Sequence, residues 1–306
     1  MKNERYNLII ILGPTASGKT RIAARLARDI ASEVISADSR QVYKGMDLGT
    51  GKDVEEFLVD GIEVTCHLID IVDTDHEFNV FEYQKEFYRC FSDISERGMI
   101  PVLVGGTGLY LESVIRNYRM HAVPEDPVLR EKLCGMDLDA MMEHLRTIKP
   151  EVHNTTDTLD RDRLVRAIEI AEYAKTHEFA GEPGHPVIKP FIVGIRWERS
   201  KLREKITTRL RKRIDAGMIE EVQGLHDKGI SWERLDAFGL EYRYINRYLR
   251  GKIDFDEMFE QLNTRIHQFS KRQMTWFRRM ERNGIVIHWV NNDDYGAVKR
   301  LIEEQV

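Results

Sequence analysis

Cysteine is scarce in this 306-residue chain: Cys66, Cys90 and Cys134 stand far apart and form no C-x-x-C pair. That excludes a disulfide-stapled scaffold and a cysteine-based zinc site, and implies reduced thiols in a cytosolic protein. No apolar run approaches the ~20 residues of a membrane span, so no membrane role is expected. Internal repeats and low-complexity stretches are also missing, and the first residues run into a strand pattern rather than a leader, which sets the expectation of a cytoplasmic protein. Positive charge is short overall, with a net of −5, which by itself argues against a nucleic-acid partner. Its distribution reverses that. Between Arg196 and Arg282 there are 21 Lys/Arg against 14 Asp/Glu, and local fields govern phosphate binding more than the total.

What is present begins with the apolar run Leu8–Leu12, leading into Gly13-Pro14-Thr15-Ala16-Ser17-Gly18-Lys19-Thr20. This completes G-x-x-x-x-G-K-[ST] between a strand and a helix, the context in which backbone N–H groups converge on phosphate oxygens. Lys19 would reach the outer phosphates and the Thr20 hydroxyl would ligate magnesium. Ile22, Ala23, Leu26, Ala27 and Ile30 then keep helical spacing. The expected ligand is a diphosphate or a nucleoside polyphosphate.

Further strands are expected at Glu33–Ala37, Val64–Ile71 and Ile100–Val104, with a helix over Val80–Arg97 capped by Asn79 and stopped by Gly98. Such alternation predicts a parallel α/β sheet flanked by helices, with ligands at the carboxyl ends of the strands. After Arg116 the pattern changes. Short helices at Pro127–Cys134, Leu138–Ile148 and Asp160–Thr176, and a loop at Gly181–Pro186, read as a helical insertion over 117–189 in a core formed by 1–116 and 190–306. Pro190–Ile195 returns as a strand, and a short apolar run, Ile285–Trp289, follows the C-terminal helices.

Two loops carry chemistry. Asp38 closes the second strand; taken alone it reads first as a turn or cap residue, and at a strand end it can also accept a proton or bind an amine or hydrated magnesium. Gly105-Gly106-Thr107 lets backbone approach a ligand and aims one hydroxyl into the crevice. Many P-loop ATPases end that strand in a magnesium-binding carboxylate. Gly105 stands there instead, which counts against ordinary ATP hydrolysis.

Six segments in this order resemble the tRNA dimethylallyltransferases: Gly13–Thr20, Ile35–Thr50, His67–Asp70, Val102–Tyr110, Asp160–Glu169 and Ser270–Arg278 (SKRQMTWFR). The resemblance spans nearly the whole chain and implies a P-loop NTPase-like fold. It implies transfer of a prenyl group from dimethylallyl diphosphate to the N6 amine of the adenine on the 3′ side of the anticodon. It also implies that the P-loop cradles the diphosphate with magnesium, that Arg209 neutralises it from the far side, and that Asp38 is the base in a channel shared with Thr107. By the same resemblance Asp38, Ser39, Arg40, Gln41 and Thr107 meet the target adenosine. Arg130, Asp162, Arg163, Leu164, Val165 and Arg166 then contact the anticodon stem-loop. No obligate protein partner is evident. Trp276 and Phe277 read as helix-packing core.

The chain departs from the family pattern at four places. Gly49-Thr50-Gly51-Lys52-Asp53 replaces G-T-A-K-P, Cys66 replaces a common histidine, Arg40 replaces methionine or alanine, and Phe238–Arg243 is two residues longer. Two other readings compete: an adenylate isopentenyltransferase using free AMP, ADP or ATP, and a P-loop small-molecule kinase. The paired arginines of the insertion and the basic C-terminal helix favour tRNA over the first, and the missing carboxylate at Gly105 counts against the second.

Overall fold

The computed structural model describes residues 6–148, 161–177 and 185–305. Two units emerge: Met1–Tyr118 with Pro186–Val306, and Arg119–His185. The first unit opens with β1 (Leu8–Leu12), α1 (Lys19–Asp29) and β2 (Val34–Ala37). A 3₁₀ turn (Val54–Phe57), β3 (Leu58–Val59), β4 (Ile62–Glu63), β5 (Cys66–His67), α2 (Val80–Glu96), β6 (Val102–Gly105) and α3 (Gly108–Ile115) follow. The insertion holds α4 (Pro127–Cys134), α5 (Leu138–Ile148) and α6 (Arg161–Thr176). The chain then returns through β7 (Pro190–Arg196), α7 (Arg199–Asp215), α8 (Met218–Asp227), α9 (Trp232–Ala237) and α10 (Leu240–Leu249). It ends with α11 (Phe255–Arg282), β8 (His288–Asn291) and α12 (Tyr295–Gln305).

Six strands form a parallel sheet in the order β5-β2-β6-β1-β7-β8. Every residue of β1 is buried, as strands covered on both faces require. Leu8, Ile10 and Leu12 pack on one face against Phe87, Phe91 and Phe277. Ile9 and Ile11 pack on the other against Ile22, Leu26 and Ile302. The register sets the site. Leu12 pairs with Gly105 and Gly194, and Gly105 with Ala37, so the loops that begin at Gly13, Asp38 and Gly106 leave the sheet at one level.

α2 begins at Asn79 with a full capping box, its side chain accepting from the Phe81 and Glu82 amides, as the sequence suggested. The expected third strand over Val64–Ile71 contracts to Cys66–His67. Leu68 (φ 64°) and Asp70 (φ 54°) are left-handed and turn the chain off the sheet, while Asp60 and Gly61, both at positive φ, close the separate β3–β4 hairpin in the way a primed turn requires. The last strand sits at His288–Asn291, a few residues beyond the apolar run that announced it. Asp160 and most of the Gly181–Pro186 loop lie outside the described residues.

The insertion packs Leu133, Met141, Leu145, Leu164, Ile168 and Ala171 into its own small core. The sequence reading drew its bounds at 117 and 189. Among the described residues no helix is long and apolar enough to cross a membrane.

Candidate active site

The P-loop spans Gly13–Thr20 between β1 and α1. Ala16 (φ 61°) and Gly18 (φ 81°) take left-handed backbone, the alternation that turns successive N–H groups into an anion-binding concavity. A left-handed alanine costs about 1–3 kcal/mol and persists only where the surroundings fix it. Here the Trp197 indole N–H donates to the Ser17 carbonyl at 3.0 Å, and the Ser17 amide donates to the Pro14 carbonyl at 3.3 Å. Ser17 Oγ is buried with no hydrogen-bond partner. Lys19 donates to the Pro14 carbonyl at 3.4 Å. Burial, with Arg209 nearby, lowers its pKa to about 8, the direction that desolvating a cation gives.

Asp38 follows β2 directly, half-exposed, and accepts from the Arg40 amide at 2.9 Å, so the turn-forming role and the strand-end position coexist. Thr107 Oγ1 accepts from the Ser39 amide at 3.2 Å, and the Thr107 amide donates to the Ala37 carbonyl at 3.3 Å. Thr107 is thus tied to Ala37 and Ser39, the residues on either side of Asp38. Gln41 is fixed by its side chain, which donates to the Gly51 carbonyl at 2.9 Å. At Gly105 a Cβ would overlap the Ala37 carbonyl, so the carboxylate of ATPases has no room at that strand end.

Gln273, within the Ser270–Arg278 motif, lies buried in α11. Its Oε1 accepts from the Thr15 amide at 2.8 Å and its Nε2 donates to the Gly106 carbonyl at 3.0 Å. One buried amide thus ties the P-loop to the Gly-Gly-Thr loop; a glutamine, donor and acceptor at one tip, is the residue for that bridge. Phe277 is fully buried as expected, and Trp276, partly buried, packs against the same core and against Gly108, with the Arg279 guanidinium 3.9 Å from its ring centre. Lys271, Arg272 and Arg278 face outward from the same helix.

Arg209 in α7 reaches the site from the opposite side. It donates to Thr15 Oγ1 at 3.3 Å and pairs with Asp53, which also accepts from Arg213 at 3.0 Å. Thr15, Ala16, Arg209, Arg213 and Glu241 line a cavity floored by Ile206, Leu210, Met218 and Ile266. Burial raises the Glu241 carboxyl pKa. Glu241 sits in the long Phe238–Arg243 segment, where Phe238 and Tyr242 are buried. Glu221 gathers the amides of Asp47, Leu48 and Gly49 at 2.7–3.0 Å and the Tyr242 hydroxyl at 2.7 Å. Lys52, also buried, donates to the Tyr43 carbonyl and pairs with Asp47 and Asp70, which gives the His67–Asp70 motif a structural purpose.

In the insertion, Glu169 is the hub. Its fully buried carboxylate accepts from Arg130 at 2.7 Å and Arg166 at 2.9 Å, and Arg166 also donates to the Val123 carbonyl at 2.6 Å. Leu164 is fully buried and Val165 packs beside it, so the Leu164 side chain serves the fold rather than a ligand. Asp162 and Arg163 are exposed.

Residues 41–280 match the model of the family described as IPP transferase, and residues 6–63 match that of isopentenyl transferase. The tRNA dimethylallyltransferase 1 of Syntrophus aciditrophicus is 57% identical, over 97% of each chain. The chain belongs to the IPP transferase family. The crystal structure of the tRNA isopentenylpyrophosphate transferase of Bacillus halodurans superposes with TM-score 0.71 at 31% identity, covering 99% of this chain and 97% of that one. A eukaryotic dimethylallyltransferase solved while acting on tRNA shares the fold at TM-score 0.76 and 22% identity, covering 97% of this chain and 78% of that one. For an IPP transferase the donor set suits magnesium. The described residues hold no cluster of three or more metal-ligating His, Cys, Asp or Glu, and magnesium is commonly held by one or two protein oxygens plus substrate phosphates and water. Thr20 and the unpartnered Ser17 hydroxyl fit that partial shell.

Proposed function

We propose that this chain transfers a dimethylallyl group from dimethylallyl diphosphate to the N6 amine of the adenine 3′-adjacent to the anticodon of tRNA, releasing diphosphate, in the cytoplasm. The observation that carries the reading is the shared level of Leu12, Ala37 and Gly105. The P-loop and the loops that carry Asp38 and Thr107 all leave the sheet at that level, and Gly105 stands where ATPases place a carboxylate, which supports the reading. The relatives' names supply the substrate class.

The chemistry follows from charge. The adenine N6 lone pair forms the bond to C1 of the allyl group as the C1–O bond breaks, and the electron pair leaves with the diphosphate. Positive charge develops on carbon and negative charge on oxygen. Lys19, Arg209 and the P-loop amides stabilise the leaving diphosphate, while Asp38 takes the N6 proton and Thr107 Oγ1 orients the amine. Magnesium, held by Thr20 and the diphosphate itself, would add Lewis-acid stabilisation of the leaving oxygens. The target base must leave its stack to enter the crevice. The outward Lys271, Arg272 and Arg278 of α11 suit an RNA backbone.

The test is incubation with dimethylallyl diphosphate, magnesium and either bulk tRNA or AMP, followed by mass spectrometry of nucleosides. A dimethylallyl adduct on adenosine of tRNA is expected. Modification of AMP alone would make the chain an adenylate isopentenyltransferase, and phosphoryl transfer from ATP would make it a kinase.

A further inference from the structure

Gly51 and Asp53, two of the positions where this chain leaves its family's pattern, meet in space at Arg213. Gly51 has φ +70°, and a Cβ there would overlap the Arg213 guanidinium. Only glycine therefore admits Arg213 to this spot. Asp53 sits two residues on, itself in left-handed backbone (φ 35°), a conformation that proline's fixed φ forbids. Its two oxygens divide between two arginines: Oδ2 pairs with Arg209 and Oδ1 with Arg213 at 3.0 Å. Arg209 and Arg213 are one helical turn apart on α7, so both reach Asp53 from the same face. The three side chains are largely withdrawn from solvent, at 29%, 26% and 13% exposure for Arg209, Asp53 and Arg213. Arg209 carries two further contacts, to Thr15 Oγ1 at 3.3 Å and the Gly51 carbonyl at 3.4 Å. The first of these is to the P-loop itself.

We propose that Asp53 is a positioning residue: braced by Arg213 in the space that Gly51 leaves open, it holds the Arg209 guanidinium aimed at the diphosphate site. The inference rests on the reading above that Arg209 meets the diphosphate. Two unbridged guanidiniums would repel one another, and a free arginine explores many rotamers. With Asp53 between them the pair has one net positive charge and one geometry. Asp53 does not touch the reacting atoms; it acts through Arg209.

A double-mutant cycle tests this. Asp53→Asn, Arg209→Ala and the double variant are compared by kcat and KM for dimethylallyl diphosphate with tRNA saturating, and by calorimetric affinity for inorganic diphosphate. Asp53→Asn is expected to lower kcat about ten- to a hundredfold, the scale of a misplaced group, and to weaken inorganic diphosphate binding. Both effects should shrink below about twofold when Arg209 is already alanine, as coupled residues require. Gly51→Ala, which acts on Arg213 from the loop side, should reproduce the Asp53→Asn phenotype without changing Asp53. Equal losses in both Arg209 backgrounds would overturn the proposal, because Asp53 would then merely brace its loop. Faster turnover or tighter diphosphate binding in Asp53→Asn would overturn it too, showing that the carboxylate competes with substrate. If the unaltered chain transfers no prenyl group, the functional reading fails on its own, and the cycle read by inorganic diphosphate affinity still decides the role of Asp53.

Discussion

The crevice at the sheet's carboxyl end and the helical insertion both display arginine and carboxylate, yet they use them in opposite ways. In the crevice Lys19 is desolvated until its pKa falls to about 8, and Arg209 is held against the P-loop. On the proposed reading both face the diphosphate, although Arg209 is also paired with Asp53. In the insertion Arg130 and Arg166 close on the buried carboxylate of Glu169, so two of its cations already hold helices together. Residue type and spacing do not separate a cation aimed at a ligand from one that is already paired. What else the cation reaches does: Arg209 pairs with Asp53 and also touches the P-loop, whereas Arg130 and Arg166 close on Glu169.

The sharpest break of that comparison is at Asp38. Asp38→Ala should reduce turnover by about 10²–10⁴, the usual contribution of a positioned base, with little change in inorganic diphosphate affinity. Near-normal turnover in steady-state kinetics would reduce Asp38 to the turn its bond to Arg40 forms. In the insertion the corresponding test is Glu169→Gln, which leaves two arginines facing a neutral amide. Losing a buried, charged hydrogen-bond acceptor costs roughly 1.5–3 kcal/mol, so amide exchange should rise throughout α4 and α6 while inorganic diphosphate binding stays unchanged.

The lowered pKa of Lys19 gives a smaller, graded effect. Its charged form predominates below about pH 8 and is lost above it. Donor kcat/KM should therefore fall as pH rises through 8, toward tenfold per unit, and Lys19→Arg should move that fall to higher pH. The smallest effect separates Arg163 from Arg166. Arg163→Ala should raise the tRNA KM and flatten the log–log salt slope by about 0.7–0.9, one phosphate contact's share. Arg166→Ala should instead lower the melting temperature, because it removes a bond to Glu169 and one to the Val123 carbonyl. A shared salt phenotype would erase the distinction between the two regions.

Much of this was legible from the chain. The P-loop and the parallel sheet follow from a buried run meeting a glycine loop, and α2 announced its own start with Asn79. The Val64–Ile71 strand failed because apolar spacing does not reveal the left-handed turns at Leu68 and Asp70. Leu164 was grouped with Arg163 because a motif is contiguous in sequence, whereas a helix distributes its members around its axis; Arg166, three residues on, shares the side of the helix that Arg163 occupies, and spacing does not reveal its bonds to Glu169 and the Val123 carbonyl. Gln273 stands inside the Ser270–Arg278 motif but drew no role from it, since an amide in a long amphipathic helix looks like any other polar position. The triad at Asp53 joins residues more than 150 positions apart, and no local pattern predicts such a meeting.

The missing Cβ at Gly105 also bears on what the scaffold can become. The neighbouring strand's carbonyl fills the space where any side chain would start, so β2 and β6 would have to part before an acidic residue could be installed. An acidic residue at Gly105 should therefore destabilise the sheet before it could supply a metal ligand.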